Sequence, residues 1–157
     1  MQASCQDDRQ PPADSRREER RTAILDAAEA LFLEKGFAKV SLGAVVRRSG
    51  GSLATLYAMF GNKRGLLRAV VYRRRDEHMW EFLHPDPDKS LRENLCHYAL
   101  GCYAFITAPH IVALLRIVIG ESISDPAFGQ EFHTGFNGDA MTQLASVFAQ
   151  WTREGRA

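Results

Sequence analysis

Long apolar runs are missing from this chain. None reaches the roughly 18 consecutive apolar residues that a membrane-spanning helix needs, and the longest stretch, 111–120, is interrupted by Arg116. The opening residues, MQASCQDDRQPP, have no apolar centre and carry acids, so they do not read as a secretory signal. Cysteine is scarce. Cys5, Cys96 and Cys102 are an odd set without metal-ligand spacing, which argues against a disulfide framework and makes a reduced, cytoplasmic compartment the expectation. Strand-like alternation, internal repeats and low-complexity tracts are also lacking. The histidines, at positions 78, 84, 97, 110 and 133, share no ligand spacing. Cys96 and His97 are adjacent and would point about 100° apart on a helix. With no metal set, no clustered carboxylates and no nucleophile beside a base, the chain does not read as an enzyme, and no metal or cofactor is expected.

What the chain does have is segregated charge. The formal net charge is only +1 over 157 residues. Residues 16–75, however, hold fourteen Lys/Arg against five Asp/Glu, whereas residues 76–157 hold five against eleven. A basic segment joined to an acidic one is the polarity of a nucleic-acid-contacting unit attached to a second domain.

Residues 1–14 are polar, contain Pro11-Pro12 and show no periodicity, so they are expected to form a disordered tail. Ser15 to Glu18 fits a capping box, and Ile24, Leu25, Ala28, Leu31 and Phe32 then recur at helical spacing until Gly36. Ser41 can cap a second helix with Val45 and Val46 inward; Ser49-Gly50-Gly51 turns the chain; Ser52 can cap a third helix to about Phe60. Asn62 can cap a fourth, whose stripe is Leu66, Leu67, Val70 and Val71. After the break at residues 84–88, Ser90 and Glu93 form another capping box, and Pro109 suits the first position of a further helix. A short helix starts at Asp125-Pro126, Gly135 and Gly138 are expected to interrupt it, and a last helix covers Ala140 to Arg153. Its Phe148/Trp151 face is expected to be exposed and prone to association. The fold class is all-α.

Two short helices joined by a glycine-containing turn, residues 41–60, make a helix-turn-helix, whose second helix enters the major groove of DNA. The helix starts at Ser41, Ser52 and Asn62 offer free N–H groups to phosphates, and Lys63 adds a full charge. Thr55 and Tyr57 can hydrogen-bond to phosphates or bases, Ala58 and Met59 can offer apolar contact, and Leu56 and Phe60 belong to the core.

The segment from Arg21 to Leu67 resembles the DNA-binding domain of the TetR family of bacterial transcriptional repressors. The matching residues are Ile24-Leu25, Ala27-Ala28, Leu31-Phe32, Gly36-Phe37, Gly50, Ser52, Thr55-Leu56-Tyr57, Phe60, Lys63 and Leu66-Leu67. The resemblance implies a DNA interface at Ser41, Ser52, Leu53, Thr55, Tyr57, Met59 and Lys63, a palindromic operator in double-stranded DNA, a homodimer, and a helical C-terminal domain binding a small-molecule effector. Gly51 stands where the family has a valine packed on the core, a loss expected to loosen the turn by about 1–3 kcal/mol; Leu53, Ala54 and Met59 also depart from the family's usual residues.

The domain organisation expected is a tail over 1–14, a helix-turn-helix DNA-binding domain over 15–75, and a helical effector-binding and dimerisation domain over 76–157, short at its C-terminus. An effector pocket would draw its walls and anchors from His97, Tyr98, Cys102, Tyr103, Ile106 and Arg116. The function expected is a sequence-specific repressor released by its effector. The alternative is an interaction module that heterodimerises with a full-length relative or binds DNA only non-specifically.

Overall fold

The computed structural model describes residues 13–83, 86 and 88–155. Among them the chain forms α1 (Ala13–Lys35), α2 (Leu42–Ser49), α3 (Leu53–Phe60), α4 (Lys63–Leu83), α5 (Leu91–Thr107), α6 (Pro109–Ser124) and α7 (Pro126–Arg153), with a 3-10 turn at Phe37–Lys39 and no strand. No single described helix is long and apolar enough to cross a membrane; α5 and α6 meet at a 66° bend.

Side-chain caps set most of the helix starts, because the first N–H groups of a helix have no partner within it. Ser41 Oγ accepts from the Ala44 N–H at 3.1 Å, Ser52 Oγ from Thr55 at 3.1 Å, and Asn62 Oδ1 from Gly65 at 2.8 Å. At α5 the capping box is complete: Ser90 Oγ accepts from the Glu93 N–H, and Glu93 accepts from the Ser90 N–H. The Ser90 hydroxyl, at 2.6 Å, and the Ser90 N–H, at 2.9 Å, both donate to the Glu93 carboxylate and hold it below its usual pKa. Pro109 and Pro126 occupy the first turns of α6 and α7.

One core joins the two halves of the chain. Ile24, Leu25, Leu31 and Phe32 of α1, Val45 of α2, and Leu56 and Phe60 of α3 are buried with Leu66, Leu67, Val70 and Val71 of α4. The same cluster continues into Leu114 and Val118 of α6 and Phe128 and Phe132 of α7. The long helix α4 is therefore the shared wall, and polar ties reinforce it. Arg64 pairs with Glu121 and Asp125, each at 2.8 Å, and Arg68 with Glu131 at 3.0 Å. Arg75 donates to the carbonyls of Gly135 and Phe136, and Tyr72 to that of Phe132.

Three local expectations fail. Helix α1 begins at Ala13, so Ser15 lies inside it and its hydroxyl donates to Glu19 instead of capping; of the expected tail, residues 1–12 lie outside the described residues and Asp14 is helical. Gly135 and Gly138 do not break the chain: α7 runs unbroken from Pro126 to Arg153. The space beside Gly135 is filled by the Tyr72 ring, so the glycine serves close packing. Trp151 is buried, not exposed, and packs edge-on against Phe148 at 5.6 Å.

Candidate nucleic-acid interface

The arrangement of α2, α3 and the start of α4 follows from the turn between the first two. Gly50 and Gly51 have φ of 77° and 89°, a region that side chains with a branched Cβ avoid. Position 51 is exposed, so no buried gap opens where the family places valine. Arg20 of α1 instead lies over the turn, Nη1 donating to the Ser49 carbonyl at 3.2 Å.

On α3, burial divides the helix by angle. Leu56 and Phe60 are buried; Leu53, Ala54, Tyr57 and Ala58 are exposed, with Leu53 at 44% and Tyr57 at 52%. At about 100° per residue these four share one arc of about 140°. Most of that arc is apolar. The Tyr57 hydroxyl is its one polar side-chain group, so its chemistry suits thymine methyls and one hydrogen bond. Ala54 belongs to this face although sequence reasoning did not select it; the helical wheel alone would have found it.

Two selected residues sit off the arc. Thr55 is half-buried, its hydroxyl 2.9 Å from Ser52 Oγ, so it braces the cap. Met59 is half-buried, packs against the core and turns toward α1 and α4. Ser41 and Ser52 are exposed at the starts of α2 and α3. Lys63 is held back: its Nζ lies 4.4 Å from the centre of the Phe37 ring and donates to the Ala38 carbonyl at 3.3 Å. Burial there lowers its pKa, opposed by the nearby Glu121 carboxylate.

The basic surplus of residues 16–75 is largely consumed inside the fold. Arg73 and Arg74 both bond the buried Glu29, at 3.0 and 2.9 Å, Arg73 also bonds Asp26 at 2.7 Å, and Arg48 pairs with Glu34 at 2.8 Å. With Arg64, Arg68 and Arg75 also engaged, the charge left for a polyanion resides on Arg16, Arg17, Lys35, Lys39 and Arg47, which are exposed, and on the half-buried Arg21.

The residues selected for an effector line none of the described clefts. His97, Tyr103, Ile106 and Arg116 are exposed; Tyr98 and Cys102 are half-buried and meet across one turn of α5, where burial, and then a hydrogen bond with Cys102, pushes the Tyr98 hydroxyl up to about 12. Other residues form the described clefts, among them one of about 260 Å³ between α4, α5 and α6 lined by His78, Phe105 and His110. His78 Nε2 lies 3.0 Å from the Gly101 carbonyl there, and its ring stacks on Phe105 at 4.9 Å. Among the described residues no group of three or more His, Cys, Asp and Glu is placed to hold a metal.

Known proteins share both halves. Residues 24–70 match the family model of bacterial regulatory proteins of the tetR family, and residues 93–157 match that of the AefR-like transcriptional repressor C-terminal domain, together more than two thirds of the chain. The HTH-type transcriptional repressor ComR of Escherichia coli K12 is 47% identical over 53 residues, 34% of this chain and 25% of that protein. The HTH-type transcriptional regulator UidR of the same strain is 34% identical over 65 residues, 41% of this chain and 33% of that protein. The chain thus spans between a quarter and a third of the length of these two relatives. A solved TetR-family regulator of Mesorhizobium loti superposes with a TM-score of 0.67 at 22% identity, covering 89% of this chain and 71% of that one. Salmonella enterica GusR does so at 0.65 and 23%, covering 87% and 70%. At these identities the likeness is one of fold. A helix-turn-helix unit fused through α4 to a helical second half, with both halves matching the same family, makes this chain a member of the TetR family of bacterial regulatory proteins.

Proposed function

We propose that the protein is a sequence-specific DNA-binding transcriptional regulator, a cytoplasmic homodimer that represses from a palindromic operator and is released by a small-molecule effector. In this reading residues 15–75 bind DNA and residues 76–157 bind the effector and the second subunit. The observation that carries it is the exposed arc of α3, Leu53, Ala54, Tyr57 and Ala58, flanked by the capped helix starts at Ser41, Ser52 and Asn62. Ser41, Ser52, Thr55 and Lys63 serve as phosphate contacts, and Leu53, Ala54, Tyr57 and Ala58 lie toward the bases, whereas Met59 supports α3 from its inner side. Release by an effector draws support from the ties of Arg64 and Arg68 to α6 and α7, through which a change in the second half would move α4. His97, Tyr98, Cys102, Tyr103, Ile106 and Arg116 are the residues proposed to meet the effector.

Selection from a pool of random DNA duplexes with the full chain tests the proposal. A two-fold symmetric consensus is expected, and a pool that stays unenriched contradicts it. A second reading has one observation in its favour: α5 and α6 expose Leu100, Tyr103, Ile106, Ile119 and Ile123. This suits a module that pairs with a full-length relative, or binds DNA only non-specifically, and it predicts the unenriched pool.

A further inference from the structure

A cleft of about 500 Å³ opens between α1, α3 and α4, away from the exposed arc of α3. Its floor is apolar and aromatic: Met59, Phe60, Ala69 and Tyr72. Its rim is charged, and the charges do not cancel. Asp76 is neutralised by Arg75 at 2.6 Å, and Glu77 by Arg74 at 3.0 Å. Arg73 is engaged by Asp26 and Glu29. Two guanidinium groups are left. Among the described residues Arg21 has no carboxylate within ion-pair distance, and its guanidinium lies 5.7 Å from the centre of the Phe60 ring. Arg68 holds only Glu131, an exposed surface pair that a competing anion can displace.

We propose that this cleft is a binding site for a small carboxylate with an apolar body, its acid group between Arg21 and Arg68 and its body on Met59, Phe60 and Tyr72. A planar guanidinium binds a carboxylate through two parallel N–H donors, and the aromatic floor removes the rest of the ligand from water. The cleft is larger than such a ligand, and its apolar floor rewards a hydrocarbon body over a bare inorganic anion. The site stands apart from the DNA-binding reading, since binding there is measured without DNA.

The test uses 4-phenylbutyrate as the probe, its neutral amide as the control, and the full chain carrying 13C-labelled methionine methyls. A saturable shift of the Met59 methyl is expected, with the Met141 methyl unmoved and the amide without effect. Arg21→Ala and Arg68→Ala should each weaken binding about tenfold, the loss of one charge-assisted hydrogen-bonding partner, while an unchanged urea-unfolding midpoint reports an intact fold; Arg21→Lys should recover part of the affinity. An absent or unsaturable Met59 shift overturns the proposal, as does equal binding of the amide or undiminished binding in both alanine variants.

Discussion

Tyr72 of α4 and Gly135 of α7 share one space: the tyrosine ring lies so close to the glycine that a Cβ at 135 would collide with its hydroxyl. That hydroxyl also donates to the Phe132 carbonyl at 3.1 Å, and the ring packs on Phe132 and Phe136 at 5.6 and 6.0 Å. Helix propensity and packing therefore oppose each other at this position. Alanine would gain about 1 kcal/mol over glycine inside a helix, but overpacking costs about 1–3 kcal/mol, so packing wins. Gly135→Ala is expected to destabilise the fold by about 1–2 kcal/mol in urea unfolding. The loss should shrink in a Tyr72→Phe background, where the colliding oxygen is gone; an equal loss in both backgrounds would contradict the collision.

Glu29 is the second pivot. It is buried, and it accepts from both Arg73 and Arg74, tying α1 to α4. Removing one partner of a buried ion pair leaves charge desolvated without compensation. Glu29→Ala should therefore cost about 3 kcal/mol. The exposed pair Arg48–Glu34, with about half of each side chain in water, should cost under about 1 kcal/mol when broken. Equal losses at the two sites would mean that burial does not decide the difference.

Tyr98 gives a prediction in pH. Its hydroxyl is pushed up from 10.0 to about 12 by burial first and the Cys102 hydrogen bond second. The folded state thus keeps a proton that the unfolded state has released between these values. Stability from this group is full below pH 10, and is lost as pH rises toward 12. Absorbance of tyrosinate should show one late-ionising tyrosine, absent in Tyr98→Phe and moved to lower pH in Cys102→Ala. A Tyr98→Phe titration that keeps the late step would assign it elsewhere.

Lys63 lies on the Phe37 ring and donates to the Ala38 carbonyl, so the proposed phosphate contact requires it to exchange both. Lys63→Ala should weaken binding to all sequences about equally, and reduce the salt slope by about 0.9. A changed sequence preference with an unchanged slope would instead place Lys63 on a base edge.

Much of the architecture was legible in the sequence because its signals are local. A serine or asparagine before an apolar stripe marks a helix start, and Ser41, Ser52, Asn62 and Ser90 all cap as read. The stripe Leu66, Leu67, Val70 and Val71 was equally clear, and all four are buried. What was illegible depends on partners distant in sequence. Gly135 reads as a breaker until Tyr72 is seen beside it, and Trp151 reads as exposed until its packing is seen. The basic surplus reads as a DNA-facing charge, yet Arg64 and Arg68 spend theirs on Glu121, Asp125 and Glu131, some sixty residues on. On α3 the exposed face was legible in outline; Ala54 was passed over and Met59, which turns inward, was included because residue chemistry, not angle, guided the choice.

In the proposed function the exposed arc of α3 reads DNA sequence. Fluorescence anisotropy of the duplex upstream of the protein's own gene, at near-physiological salt with excess competitor DNA, tests it most directly. Saturable binding is expected to survive the competitor in the native chain and to be abolished by it in Tyr57→Ala. Binding that the competitor removes equally from both proteins would contradict it.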